Sequence, residues 1–108
     1  MKDYIEKIEQ NLFKIIEHID RPNILELGVQ RGISTLKFIN FCNKNDGYLF
    51  SVDINDCSNV SNDKRWKFIK SRDDNFEYIK SQIPEKINII YIDTLHEASH
   101  VYKIIYNY

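Results

Sequence analysis

The sequence has little cysteine, glycine and proline, and it has no long apolar run. Its two cysteines, Cys42 and Cys57, do not have the close spacing of a disulfide framework, which favours a reducing compartment. The longest apolar run, Ile87 to Ile92, is far shorter than the roughly 18 residues of a membrane-spanning helix. The N-terminus, MKDYIEKIEQ, is too charged for a secretory signal. We therefore expect a cytoplasmic protein with no membrane partner.

Neither sign of charge dominates, because 15 Lys and Arg residues balance 16 Asp and Glu residues to a net charge of −1. This balance gives no reason to expect nucleic acid or an anionic membrane as the main partner. With 108 residues and 43% hydrophobic content, the chain is long enough for one core. It has no internal repeat, low-complexity tract or linker. We predict a single domain over residues 1–108.

The spacing of apolar residues predicts helices and strands that alternate along the chain. The predicted helices cover residues 2–19, 33–42, 74–82 and 96–106, and the predicted strands cover residues 24–27, 48–52, 66–69 and 87–92. The first helix is amphipathic and is expected to pack on the rest of the domain as an N-terminal layer over residues 1–20. Strands that alternate with helices favour an α/β fold with a parallel sheet and right-handed crossovers.

Polar residues and glycines follow the carboxyl ends of the predicted strands, which is where open parallel sheets bind their ligands. They are Glu26, Gly28 and Gly32 at strand one, Asp53 at strand two, Ser71, Asp73 and Asp74 at strand three, and Asp93 and His96 at strand four. Asp53 lies 21 residues beyond Gly32, near the spacing at which an acid meets ribose hydroxyls. Each residue alone is explained equally well by a turn or a helix cap. Together they indicate a ligand that contains a nucleoside.

The loop from Gly28 to Gly32 joins a buried strand to a predicted helix, an arrangement that can hold an anion or a nucleotide. The loop has neither a lysine nor a complete Gly-x-Gly-x-x-Gly pattern, and Glu26 stands two residues before it. These features suit an amino-acid tail with a positive amine better than they suit a diphosphate.

Four segments at these strand ends resemble motifs of the class I S-adenosylmethionine-dependent methyltransferases. ILELGVQRG is similar to their first motif, YLFSVDIN to their second, and WKFIKSRDDNF to their third region. INIIYIDTLHEASHV resembles the fourth motif of a subgroup that has Ile-Asp-x-x-His and includes O-methyltransferases of small molecules and sugars. The resemblance covers about residues 20–105 and implies a Rossmann-like sheet with strand order 3-2-1-4.

The resemblance also implies a cofactor, S-adenosylmethionine, and a role for each residue at the strand ends. The methionine part would be held by Glu26, Gly28, Gln30 and Gly32, the ribose hydroxyls by Asp53, and the adenine by Asp73 or Asp74. Asp93 and His96 would face a small-molecule acceptor, and His96 would take the proton of its hydroxyl group. A histidine at the start of a predicted helix is also explained as a cap or a packing residue.

The family fold has seven strands, whereas this chain stops after the helix that follows strand four. We therefore expect a truncated form of the fold, in which strand four is an exposed apolar edge. A partner chain, such as a second copy in a homo-oligomer, is one way to cover that edge. A subunit that binds the donor without catalysing transfer is the main alternative function.

Residues 96–100 also match the HExxH motif of zinc hydrolases, with His96 and His100 as ligands. The motif expects a third ligand downstream, and almost no sequence follows it here. A zinc hydrolase is therefore a lesser alternative. A divalent metal on Asp93, His96 or His100 has no further support, since two ligands do not make a site.

Overall fold

The computed structural model describes residue 14, residues 19–84 and 86–92, and the backbone of residues 101–104. The strands are β1 (Asn23–Leu27), β2 (Tyr48–Asp53), β3 (Trp66–Lys70), β4 (Ile89–Ile92) and β5 (Val101–Ile104), and the helices are α1 (Ile33–Asn45) and α2 (Phe76–Gln82). A short 3-10 helix, Ser58–Val60, lies between β2 and β3. None of the helices in these ranges has the length and apolar character needed to cross a bilayer.

The first four strands form a parallel sheet in the order β3-β2-β1-β4, which confirms the predicted Rossmann-like α/β fold. The chain moves outward from β1 to β2 and β3 and then returns past β1 to β4. The strand order therefore reverses beside β1. In open α/β sheets this reversal opens a crevice at the carboxyl ends of the strands, where ligands bind.

The segment after β4 differs from the prediction. Residues 101–104 form strand β5, which pairs antiparallel with β4, so the helix predicted over 96–106 is wrong for these four residues. Val, Tyr and Ile in VYKI favour a strand, and a short apolar pattern does not separate strand from helix. Because β5 pairs with β4, the prediction that β4 is the exposed edge is also wrong. A homo-oligomer stays a prediction, but an exposed edge at β4 no longer supports it.

Successive side chains of a strand point to opposite faces of the sheet, and each face buries an apolar cluster. The cluster under α1 includes Ile24, Phe38 and Tyr91. The rings of Phe38 and Tyr91 pack edge to face, with their centroids 5.0 Å apart. The cluster on the other face includes Leu25 together with Ile79 of α2. With both faces covered, the central strands are apolar nearly throughout.

The N-terminal helix predicted over residues 2–19 lies outside the described residues, apart from Lys14 and Ile19. Lys14 is helical, and Ile19 packs against the cluster under α1.

Both described helices differ from their predicted bounds at one end. The helix α1 continues past the predicted end at Cys42 to Asn45 and stops at Asp46, which has a left-handed φ of 57°. The next residue is Gly47, where any added Cβ would collide with the carbonyl oxygen of Pro22. The helix α2 begins at Phe76, two residues later than predicted.

Candidate functional site

The loop between β1 and α1 turns sharply through three residues with positive φ. Gly28 has φ of 100°, Gln30 of 55° and Gly32 of 84°. The Gly28 amide donates to the carbonyl oxygen of Val52 at 2.8 Å, so the loop starts beside the end of β2. A Cβ on Gly32 would lie 2.6 Å from a methyl group of Val60. Both glycines adopt a positive φ that residues with side chains disfavour, and at Gly32 a side chain would also collide with Val60.

The loop leads directly into the N-terminus of α1. Gly32 is the N-cap of this 13-residue helix, and no side chain caps it with a hydrogen bond. The first amides of a helix point out of its N-terminus, and the helix dipole makes that end attractive to an anion. The end of α1 that faces the glycine loop can therefore receive a carboxylate or a phosphate.

Asp53, the last residue of β2, binds the same loop through its carboxylate. Its Oδ2 accepts hydrogen bonds from the amides of Val29 at 2.9 Å and Gln30 at 3.1 Å. Its Oδ1 accepts a hydrogen bond from the amide of Asn55 at 2.9 Å. The acid predicted to hold ribose hydroxyls and the loop predicted to hold the amino-acid tail are thus in direct contact.

The hydrogen bonds to Asp53 also set its ionisation. Burial acts to raise the pKa of Asp53, but hydrogen bonds from the amides of Asn55, Val29, Gln30 and Ile54 outweigh it. The pKa is therefore lower than that of an ordinary aspartate. Asp53 is ionised at neutral pH, and it is partly exposed.

Glu26 lies inside the protein, beneath the loop. Its side chain is fully buried, and its Oε1 accepts hydrogen bonds from the hydroxyls of Thr35 at 2.6 Å and Ser51 at 2.7 Å. Ser51 Oγ in turn accepts a hydrogen bond from Trp66 Nε1 at 2.9 Å. The sequence analysis selected Glu26 but not Thr35, Ser51 or Trp66, although a serine within the apolar strand YLFSVD was a sign of a buried polar contact.

Cys57 is a buried residue next to the glycine loop. Its Sγ is 3.9 Å from the carbonyl oxygen of Gln30. Burial raises the pKa of Cys57, and the nearby negative charge of Asp53 raises it further. The pKa of Cys42, which lies in the core, is raised to about 12, chiefly by burial. Both cysteines are free thiols, and these environments do not favour a reactive thiolate.

The two acids that follow β3 differ in their surroundings. Asp74 binds Arg72 through both carboxylate oxygens, at 3.0 Å to Nε and 2.9 Å to a terminal nitrogen. The hydrogen bonds from Arg72 lower the pKa of Asp74. Asp73 is exposed and does not take part in this pair. The sequence left open which of the two acids would meet an adenine, and that choice stays a prediction.

Two large apolar side chains are exposed in the segments that follow β2 and β3. Ile54, directly after Asp53, is 63% exposed, and Phe76, at the start of α2, is 61% exposed. Both follow the carboxyl ends of their strands, on the edge of the sheet where the glycine loop lies. Sequence reasoning did not select either residue. For Ile54, the sequence signal would have been an apolar residue directly after Asp53, the acid at the end of β2.

Asp93, His96 and His100 lie outside the described residues. Their roles as acceptor-site residues, metal ligands or part of an HExxH motif therefore stay predictions. Within the part of the chain that the structure describes, no cluster of three or more His, Cys, Asp or Glu residues could hold a metal ion.

A family model described as a methyltransferase domain matches residues 25–108. The matched range contains the glycine loop, Asp53 and all five strands apart from the first residues of β1, and it covers well over half of the chain. No match emerged from comparisons with curated proteins or with solved structures. The match does not favour a zinc hydrolase.

Replacement of Asp53 by asparagine is expected to destabilise the protein at pH 7, because the loop amides lose an anionic acceptor. The pKa of Asp53 is lower in the folded state than in the unfolded state. The stabilisation from its carboxylate is therefore fully present above the unfolded-state pKa of about 3.9, and it is lost as the pH falls through the folded-state pKa. In urea unfolding, the gap between the midpoints of the wild type and Asp53→Asn should therefore close below about pH 4.

The exposed Asp20 offers a matched control, and Asp20→Asn should keep the wild-type midpoint throughout. A gap for Asp53→Asn that stays constant to about pH 3 would contradict the assigned ionisation.

Proposed function

The chain belongs to this methyltransferase-domain family, and from that membership we propose that it transfers a methyl group from S-adenosylmethionine to a hydroxyl group of a small molecule or a sugar. The observation that carries the proposal is the contact between the Asp53 carboxylate and the amides of Val29 and Gln30. It joins an ionised acid, a glycine loop and a helix N-terminus at one edge of the sheet. The donor has a nucleoside at one end and a zwitterionic amino acid at the other, and it needs these groups together.

The amino-acid tail of the donor fits the glycine loop. The N-terminus of α1 attracts its carboxylate, as it would attract any anion. Gly28 and Gly32 let the main chain approach the ligand closely, and Gln30 stands exposed at the tip of the loop. In this proposal the first amides of α1 bind the carboxylate of the tail, because the loop amides of Val29, Gln30 and Gly32 already donate within the protein.

The nucleoside fits the ends of β2 and β3. Asp53 is ionised and partly exposed, so it can accept hydrogen bonds from ribose hydroxyls. The exposed side chains of Ile54 and Phe76 offer apolar surface for the adenine ring. We assign the adenine amino group to Asp73, which is exposed, because the charge of Asp74 is compensated by its ion pair with Arg72.

The acceptor would bind beyond the end of β4, where Asp93 and His96 follow in the sequence. Methyl transfer is an in-line displacement: the acceptor oxygen forms a bond to the methyl carbon as the carbon–sulfur bond breaks. His96 would take the hydroxyl proton, and Asp93 would help to place the acceptor. Most of the rate would come from holding the two reactants in line.

Calorimetric titration with S-adenosylmethionine and S-adenosylhomocysteine tests the donor site. We expect both to bind with a Kd below about 1 mM, within the usual range for enzyme substrates. Asp53→Asn should weaken binding about tenfold or more, since hydrogen bonds to a charged acceptor are lost. Asp20→Asn is the control and should bind as the wild type does. No binding at millimolar ligand would overturn the proposed function.

A paired substitution tests the adenine contact. Asp73→Asn should weaken S-adenosylhomocysteine binding by about tenfold, because a charged acceptor for the amino group is replaced by a neutral one. Asp74→Asn should change the Kd by less than about threefold, because that carboxylate serves Arg72. The reverse order of effects would assign the adenine to Asp74.

The base is tested by His96→Gln. We expect kcat for transfer of a labelled methyl group to a hydroxyl acceptor to fall by about 10²–10⁴-fold, because general base catalysis is removed. Titration should show unchanged S-adenosylhomocysteine binding in the same variant. If the wild-type protein binds the donor but methylates no hydroxyl acceptor, the alternative of a donor-binding subunit would be favoured.

A further inference from the structure

A chain of hydrogen bonds beneath the glycine loop joins side chains from four elements. Trp66 Nε1 of β3 donates to Ser51 Oγ of β2 at 2.9 Å, and Ser51 donates to Glu26 Oε1 of β1 at 2.7 Å. Thr35 Oγ1 of α1 donates to the same Glu26 oxygen at 2.6 Å. Glu26, Thr35 and Ser51 are each 0% exposed. The network therefore ties the first turn of α1 to the three strands beside it.

The direction of each hydrogen bond follows from the chemistry of the groups. An indole N–H only donates, so the Ser51 oxygen is the acceptor of the Trp66 bond and its own proton is left for Glu26. A carboxylate oxygen accepts from both hydroxyls at once. Glu26 Oε1 thus joins β1 directly to β2 and α1, and it is linked to β3 through Ser51.

Glu26 has no exposed surface, and the hydrogen bonds to its Oε1 come from protein hydroxyls. One of these hydroxyls belongs to Thr35, in the first turn of α1, three residues after Gly32. The amides of that turn are the groups that meet an anion. Whatever holds Thr35 in place therefore also holds these amides in place.

We infer that Glu26, Thr35 and Ser51 are positioning residues for the amino-acid tail of the methyl donor. They fix the first turn of α1 against the sheet, and through it the affinity for the tail. Glu26 acts through Thr35 and does not itself touch the ligand. The inference rests on the proposed function, because it concerns the same donor site.

Two variants of Thr35 and two ligands test the inference. S-adenosylhomocysteine carries the amino-acid tail, whereas 5′-methylthioadenosine has the same adenosine and thioether without it. Thr35→Val keeps the side-chain shape and removes the hydroxyl, so the Kd of S-adenosylhomocysteine should rise about tenfold. The Kd of 5′-methylthioadenosine should change less than about twofold, and Thr35→Ser should restore tail binding because it keeps the hydroxyl.

Glu26→Gln separates positioning from direct contact. An amide oxygen still accepts both hydroxyls, so a positioning role predicts a Kd for S-adenosylhomocysteine within about threefold of the wild type. A loss greater than that of Thr35→Val would mean that the carboxylate pairs with the ammonium of the tail, and the inference would be overturned.

The remaining outcomes distinguish the inference from the proposed function. If the wild type binds neither ligand, both are wrong. If the wild type binds both and Thr35→Val weakens both equally or neither, only the inference is wrong. Thermal unfolding shows whether each variant is folded. Should Thr35→Val fail to fold, Ser51→Ala and its conservative partner Ser51→Thr give the same comparison of ligands.

Fluorescence gives a readout that needs no ligand. Trp66 is the only tryptophan in the sequence. Ser51→Ala removes the acceptor of its indole N–H, so the emission maximum should shift, whereas Ser81→Ala on α2 should leave it unchanged. An unchanged maximum in Ser51→Ala would show that the indole is not part of the network, and the inference would lose its structural basis.

Discussion

The hydrogen bonds from the amides of Val29 and Gln30 to the carboxylate of Asp53 hold the site together. They connect the loop after β1 to the end of β2, and they make an aspartate at a strand end more acidic than usual. The loop can present these amides only because Gly28 and Gly32 adopt left-handed conformations. One carboxylate therefore holds the loop in place and puts a negative charge at this edge of the sheet.

A second carboxylate does a different job beneath the first. Glu26 lies within β1, where the pleat directs it inward, whereas Asp53 is the last residue of β2 and is partly exposed. Burial of a carboxylate is costly, and the hydroxyls of Thr35 and Ser51 offset part of that cost by donating to Oε1. The two acids look alike in the sequence. Their positions in the strands leave Asp53 partly exposed and place Glu26 in the interior, hydrogen-bonded to α1.

The edge of the sheet beyond β4 shows how long-range pairing overrides local pattern. Apolar residues near the end of the sequence have a spacing that also suits a helix, yet Val101–Ile104 pairs as β5 with β4. The main-chain groups on that side of β4 are satisfied by this pairing. No local pattern reveals that a partner strand is available, because the partner lies elsewhere in the chain.

The order of the strands in the sheet was predicted from the resemblance to a known family. The sequence pattern by itself determined the alternation of strands and helices as far as β4, the parallel direction of these four strands, and the gathering of Gly28, Gly32 and Asp53 at one edge. Apolar periodicity is local, and the carboxyl ends of parallel strands meet at the same edge, so these features follow from the pattern alone. Only the tertiary structure decided that Glu26 is buried and that Asp74 is bound to Arg72. Such partners are brought together by folding in three dimensions, and spacing along the chain does not specify which hydroxyl, amide or guanidinium each carboxylate will meet.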